Sequence, residues 1–257
     1  MRGVILAGGL GTRLHPLTKA TNKHLLPVGR EPMIFHPIRQ LVGAGIDEVL
    51  VVTSTDHMGD VVRCLGSGAD FGCSLTYKVQ ESARGIADAL ALARTFSGGQ
   101  PICVMLADNV FQYSIQPYVQ AFARQGAGAR VLLKKVDEPR HYGVAALDER
   151  HVLSIVEKPE NPPSDYAVVG LYLYDAHVFD HIAAVEPSDR GELEITSVNN
   201  RYIAAGLLQY DVVHGDWTDA GQPQSYLAAN RMLFESDNAI LDWDPELRTG
   251  GRAHQGS

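Results

Sequence analysis

The stretch MRGVILAGGLGTRLHPLTKATNKHLLP, residues 1–27, runs from a short apolar strand (VILA, 4–7) through Gly8, Gly9 and Gly11 to Arg13, Lys19 and Lys23. Ligands of open α/β sheets bind outside the carboxyl ends of the strands, so the residues just after the first strand carry weight. A dinucleotide fingerprint would need a third glycine at position 14, where Leu14 stands, and the Gly-Lys-Ser/Thr of a Walker loop is absent. What is left is a glycine loop whose unhindered N–H groups can approach an anion, an arginine whose fork grips phosphate oxygens and a lysine acting as a point charge. A surface turn with scattered solvated cations fits the same residues, and this stretch alone leaves both readings open.

Outward from it, the pattern predicts a helix near 32–42, a strand EVLVVTS (48–54), a short helix over 61–65, a strand LTYKVQ (75–80), a helix near 86–96 and a strand ICVMLAD (102–108). Near-continuous apolar strands separated by helical periods belong to a sheet covered on both faces, so the fold class is α/β, a Rossmann-like doubly wound and mostly parallel sheet. Beyond it RVLLKKV, GVAALD, VLSIVEK and YAVVGLYLYD come in quick succession, which predicts antiparallel additions. Helices near 176–185 and 195–205, a strand LLQYDVV and a helix over 224–234 complete one domain spanning 1–236. The polar, aperiodic stretch 237–257 reads as a partly disordered tail.

With 257 residues and 45% apolar side chains, the chain can bury a sizeable core. Its net charge of -8 supplies no general attraction for nucleic acid or an anionic membrane, so phosphate-binding cations have to be concentrated locally and the partner has to be small. Cys64, Cys73 and Cys103 lack C-x-x-C spacing and read as reduced packing thiols of a cytoplasmic protein. No apolar run approaches membrane-spanning length.

Other strand ends carry charges. Asp108 closes an apolar run in LADN, where a carboxylate can hold Mg²⁺ against a triphosphate or can simply cap a turn. Asp219 in DWTDAG is a second candidate, with Asp216 as its competitor. Glu157 and Lys158 precede a proline-rich turn, and Arg190, Glu192 and Glu194 lead into a helix; each alone reads equally well as a solvated charge or a cap. His177 and His181 share a helix face without a third metal ligand and receive no role. Tyr166, Tyr172 and Tyr174 share a strand face by alternation, which favours packing over a base-stacking platform.

Taken in chain order, GGLGTRL with Lys23 in NKHLLPVG, PMIFHPI, Gln80 in YKVQ followed by Gly85, LADN, YGV, EKP, YAVVGLYLYD, RGELEIT and WTDAG resemble the sugar-phosphate nucleotidyltransferases over residues 1–236. Among these the pattern is most similar to the glucose-1-phosphate thymidylyltransferases. The resemblance implies the nucleotide-diphospho-sugar transferase fold and Mg²⁺-dependent transfer of a nucleotidyl group from dTTP or UTP to glucose 1-phosphate or a related sugar 1-phosphate, releasing pyrophosphate. It implies roles by position: Leu6, Gly8, Gly9, Gly11 and Thr12 at the nucleotide, with Gln80 reading the base and Gly85 letting backbone approach it. Arg13 and Lys23 would hold the triphosphate, Asp108 and Asp219 Mg²⁺, and Lys158 the sugar phosphate. Tyr142, Gly143, Glu157, Val168 and Tyr172 would surround the sugar. The nucleophile is then a phosphate oxygen, already ionised at neutral pH, so the lack of a Ser-His-Asp or Cys-His constellation is no obstacle.

The chain also departs from the family. Ala107 stands where glycine is usual, Asp88 where glutamine is common, Leu10 where serine is common and Ala220 where threonine is common. Leu10 and Asp88 fall near the expected nucleotide pocket, so base or sugar preference is where a shift is expected. Relative to the family the chain stops a helix or two early, which implies weak or absent product feedback at a remote site and a homo-oligomer, a dimer or a tetramer. A second class, a sugar-nucleotide-binding regulatory module without turnover, would keep the fold, as would a transferase for another base or a sugar-like acceptor. Retention of Arg13, Lys23, Asp108, Lys158 and Asp219 favours the enzyme.

Overall fold

Arg2–Ala7 forms strand β1, and its side chains alternate between two cores, Val4 and Leu6 on one face and Ile5 and Ala7 on the other. A strand buried on both faces has no need of a polar alternate, which is why its sequence reads as an unbroken apolar run. The computed structural model describes residues 1–235 of the chain. The stretch 237–257, expected to be a tail, lies outside the described residues.

After β1 come a two-stranded ribbon, β2 (Pro27–Val28) and β3 (Glu31–Pro32), then α1 (Phe35–Gly43), β4 (Glu48–Ser54), α2 (Met58–Leu65) and β5 (Ser74–Gln80). Helices α3 (Ile86–Ala91) and α4 (Arg94–Ser97) lead to β6 (Ile102–Leu106). Strands β5, β4, β1 and β6 lie side by side and parallel, with Gln80 opposite Ser54, Thr53 opposite Ala7 and Leu6 opposite Leu106. Their carboxyl ends are therefore in register, so Gly8, Gln80 and Asp108 emerge along one rim of the sheet.

The second half adds β7 (Asn109–Phe111), α5 (Gln116–Gln125), β8 (Ala129–Lys135), β9 (Gly143–Leu147), β10 (Val152–Glu157) and β11 (Tyr166–Tyr174). It closes with α6 (Val178–Ala183), α7 (Ile195–Ala204), β12 (Leu208–Val212), β13 (Trp217–Asp219) and α8 (Pro223–Glu235). Strand β11 runs antiparallel to β6, β8 and β9, and β10 pairs antiparallel with β9. Helices α1, α2 and α5 cover the Ile5 face, while α3, α6 and α7 cover the Val4 face. Tyr172 and Tyr174 stack within the latter core, and Tyr166 packs against it, as alternation predicted. At the β10 edge, the Asn200 amide on α7 accepts from Ile155 N–H and donates to Ile155 C=O, satisfying the backbone groups an edge strand otherwise exposes.

The structure adds the short strands β2, β3, β7 and β13 to the sequence reading and departs from it in the helices. The helix expected over 86–96 is two helices, because Leu92 and Ala93 N–H bond back three residues to Ala89 and Leu90 and tighten the chain. Helix α5, which is absent from the sequence expectations, buries Tyr118, Val119 and Phe122. The strand LLQYDVV, whose direction the pattern left open, pairs parallel with β8.

Candidate functional site

A cavity of about 330 Å³ opens above the carboxyl ends of β1, β5 and β6 and continues over β9 and β11. Gly11 takes φ +66°, and a Cβ there would fall 2.8 Å from Lys23 Cβ and 3.0 Å from Thr18 Cγ2. The glycine thus lets the loop close over Lys23, and Thr18 Oγ1 donates to Gly11 C=O at 2.7 Å to hold it there. Lys23 begins a short 3-10 turn capped by Asn22, whose Oδ1 accepts from His24 N–H. The buried Lys23 Nζ donates to Asp108 Oδ2 at 2.6 Å. Burial opposes ionisation of Asp108, but the Lys23 ammonium and a bond from Asn109 Nδ2 outweigh it and hold the carboxyl well below the usual range. Burial, with Lys23 adjacent, lowers the neighbouring His24 to about 3, so its imidazole is neutral at physiological pH.

Strand β13 pairs with β7, setting Asp219 opposite Asn109, and Ala220 N–H donates to Asp108 C=O at 2.7 Å. Pairing across this small ladder brings the two aspartates together. Tyr142 Oη donates to Asp219 Oδ1 at 3.2 Å. Burial and the charge of Asp108 nevertheless raise Asp219 to about 6. A Cβ on Gly221 would lie 3.4 Å from Asp108 Oδ2, 3.6 Å from Asp219 Oδ2 and 3.7 Å from Arg13 Nη2, so two carboxylates and a guanidinium share one small volume. The donor set fits Mg²⁺, which takes one or two carboxylates and completes its shell with phosphate and water oxygens. Among the described residues no cluster of three or more His, Cys, Asp or Glu side chains competes with it. Asp216 is exposed and does not line the cavity, whereas Asp219 does.

At the far end, Glu157 Oε2 accepts from Thr196 Oγ1 at 2.6 Å, while Oε1 lies 3.5 Å from both Lys158 Nζ and Arg190 Nη2. Arg190 also pairs with Glu194 at 2.7 Å. Gly143 faces Glu157 across the β9–β10 ladder, and a Cβ there would crowd Thr196 Oγ1 at 3.1 Å. Lys158 adopts φ +43°, although it precedes Pro159, and its N–H donates to Tyr142 C=O at 2.9 Å. Left-handed backbone at a non-glycine residue costs on the order of 1–3 kcal/mol and persists where surrounding structure enforces it.

The cavity gathers Leu6, Gly8, Gly9, Arg13, Lys23, Gln80, Gly85, Asp108, Tyr142, Gly143, Glu157, Lys158, Val168, Tyr172 and Asp219 from the sequence-derived candidates. Gly11 and Thr12 are not among its lining residues; Gly11 acts behind the wall by admitting Lys23. Leu10, half exposed at 52%, is also outside the lining.

The nucleotidyl transferase family matches this chain over residues 2–236. The chain belongs to that family. It is similar to the glucose-1-phosphate thymidylyltransferase of Xanthomonas campestris pv. campestris strain B100, 43% identical over 89% of this chain and 79% of the relative. The enzyme of that name from Neisseria meningitidis is 42% identical over 88% of this chain and 80% of the relative. A Bacillus anthracis crystal structure assigned as glucose-1-phosphate thymidylyltransferase, in complex with a sucrose, superposes with a TM-score of 0.87 at 52% identity, covering 90% of this chain and 94% of that one. A UDP-glucose pyrophosphorylase bound to UDP-glucose gives a TM-score of 0.80 at 22% identity over 91% of this chain and 98% of that one, a likeness of fold alone.

Within this member of the nucleotidyl transferase family, several residues that motif reading passed over support the site. Asn109 Oδ1 accepts from Gly170 N–H and from Trp217 Nε1, both at 2.8 Å, while its Nδ2 holds Asp108. Gly170 is required there, because a Cβ would strike the Asn109 amide at 2.6 Å; an isolated glycine inside YAVVGLYLY was the available signal. Thr196, His141 and Trp217 also line the cavity. Gly85 has a second reason to be glycine. At φ +101° its Cβ would meet Leu193 C=O at 2.5 Å, so the missing side chain admits neighbouring backbone in addition to opening the cavity wall. Gly85→Ala is accordingly expected to lower unfolding free energy by roughly 2–4 kcal/mol in urea titration. A loss below about 0.5 kcal/mol would show that the Leu193 contact yields without strain.

Proposed function

We propose that this chain joins the nucleotidyl group of dTTP or UTP to glucose 1-phosphate or a closely related sugar 1-phosphate, with pyrophosphate leaving. The observation that carries the reading is one cavity with cations and carboxylates gathered at both ends: Lys23, Arg13, Asp108 and Asp219 at one, Lys158, Arg190, Glu157, Glu192 and Glu194 at the other. A sugar-phosphate oxygen attacks the α-phosphorus, a new P–O bond forms, and the bond to the β-phosphate oxygen breaks in line. Both reactants are anions, so the work is charge neutralisation and positioning.

In this reading Arg13 and the buried Lys23 meet the developing charge of pyrophosphate, and Lys158 draws the sugar phosphate toward the α-phosphorus. Asp108 and Asp219 would hold Mg²⁺, which supplies Lewis-acid neutralisation of the triphosphate. Glu157, with Oε2 already bonded to Thr196, offers Oε1 and its remaining lone pairs to sugar hydroxyls. Gln80 faces the base. The similarity to named glucose-1-phosphate thymidylyltransferases supports this choice of base and sugar. A homo-oligomer and a cytoplasmic location belong to the same reading, and among the described residues no helix is long and apolar enough to cross a membrane.

The test is pyrophosphate release with Mg²⁺ across a matrix of nucleoside triphosphates and sugar 1-phosphates, each with a no-sugar control. Sugar-dependent release is expected with dTTP or UTP and glucose 1-phosphate or an epimer. Silence across the matrix, with nucleotide binding demonstrated separately, would instead indicate a binding module.

A further inference from the structure

Asp88 lies on α3 with its side chain only 14% exposed, facing Gln80 at the end of β5. Asp88 Oδ2 accepts from Gln80 Nε2 at 2.7 Å, and Gly85 C=O accepts from the same nitrogen at 3.3 Å. The other oxygen of Asp88 is occupied by Arg84 Nη2 at 3.0 Å. An ionised carboxylate only accepts, as does a backbone carbonyl, so both amide protons of Gln80 are committed and the side chain has one admissible orientation. In that orientation Oε1 is the atom left over. It lies 3.0 Å from the position a Cβ on Gly8 would take, at the cavity wall, and among the described residues no donor reaches it.

We propose that Asp88 is a specificity-determining positioning residue, which locks the Gln80 amide so that the base pocket presents an acceptor and selects bases bearing an imide N–H. Thymine and uracil carry a proton on N3 that Gln80 Oε1 accepts. Cytosine carries a lone pair there, and its approach sets two acceptors against each other, a mismatch that binding sites reject strongly when the group is desolvated. Without the lock the amide would rotate by a half turn and offer its NH₂ group to cytosine. Asp88 does this without touching the nucleotide, and Gly8 leaves the space into which Oε1 projects. The inference rests on the reading that Gln80 faces the base.

The experiment is calorimetric binding of dTDP and dCDP, with Mg²⁺, to the wild-type protein and to Asp88→Asn, Asp88→Ala and Arg84→Ala. Wild type is expected to prefer dTDP by on the order of a hundredfold. The preference should shrink by about tenfold in Asp88→Asn, where one oxygen must serve both Gln80 and Arg84, and at least as much in Asp88→Ala. Arg84→Ala keeps the Asp88–Gln80 bond and should hold the preference within about twofold, which separates the lock from a general effect of losing the surface ion pair. Kd for glucose 1-phosphate should stay constant throughout. Asp88→Ala serves alone should Asp88→Asn not fold. A wild-type protein that binds both nucleotides equally, or binds neither, overturns the proposal, and so does a preference that survives both Asp88 variants. Selective binding lost on substitution, in a protein that releases no pyrophosphate, would uphold the lock while refuting the transferase reading.

Discussion

Asp108→Asn is expected to cut sugar-dependent pyrophosphate release by on the order of 10³ or more, the scale of losing a metal carboxylate and the charge that organises a phosphoryl-transfer site. Asparagine keeps the shape and can still meet Asn109, but it cannot balance Lys23, whose ammonium is buried and bonded to Asp108 Oδ2 at 2.6 Å. Removing one partner of a buried pair leaves the other uncompensated, so urea unfolding should also report a loss of roughly 3 kcal/mol. The circular dichroism spectrum should remain native. Activity within tenfold of wild type would remove Asp108 from the metal and the mechanism together.

Asp219→Asn should likewise depress activity, by on the order of 10²-fold, yet shift stability the other way. Burial and the charge of Asp108 raise the folded pKa of Asp219 from an ordinary 3.8 to about 6. A carboxyl whose folded pKa is raised contributes stability in acid, and that contribution is lost as pH rises through about 6. Metal-free wild-type protein at pH 8 therefore carries an ionised Asp219 that its surroundings disfavour, whereas asparagine keeps the Tyr142 bond without the charge. In EDTA at pH 8 the variant should melt about 2–6 °C above wild type, and the gain should shrink as pH falls below about 6 and vanish below about pH 4, where the carboxyl is protonated in the folded and unfolded chain alike. A gain that did not change with pH would contradict the opposition between Asp108 and Asp219. Mg²⁺ should stabilise wild type far more than the variant, since the cation relieves that same opposition.

Strands β1, β4 and β6 were readable because burial on both faces demands apolar residues throughout, and the edge strand β5 because Leu75, Tyr77 and Val79 alternate with polar residues; their ends located Gly8, Gln80 and Asp108 along the rim. Features that depend on strand pairing were not readable. The resemblance in WTDAG points to Asp219, but its place beside Asp108 comes from the β7–β13 ladder, which sets Asp219 opposite Asn109. Gly11 and Gly85 were visible as backbone-freeing residues, but their contacts, Lys23 and Leu193, lie across the fold. Helix α5 is absent from the sequence expectations although Tyr118 and Phe122 stand four apart, the spacing of one helix face. Asp88 was legible as an unusual residue near the nucleotide pocket. Its bond to Gln80, which gives the departure a chemical meaning, appears only once α3 is laid beside β5.

Glu157 ends β10 and Lys158 follows it; the strand is hydrogen-bonded to β9 alone within the sheet and tied on its outer side to Asn200. Gln80 and the glycine loop belong instead to the parallel strands at the opposite part of the sheet. On the proposed function, acceptor choice and base choice are thus heritable as separate traits. A lineage can rework the β9–β10 hairpin and the start of α7 for a new sugar while its triphosphate-handling machinery drifts little, and a laboratory selection aimed at unnatural sugars can confine its library to that hairpin.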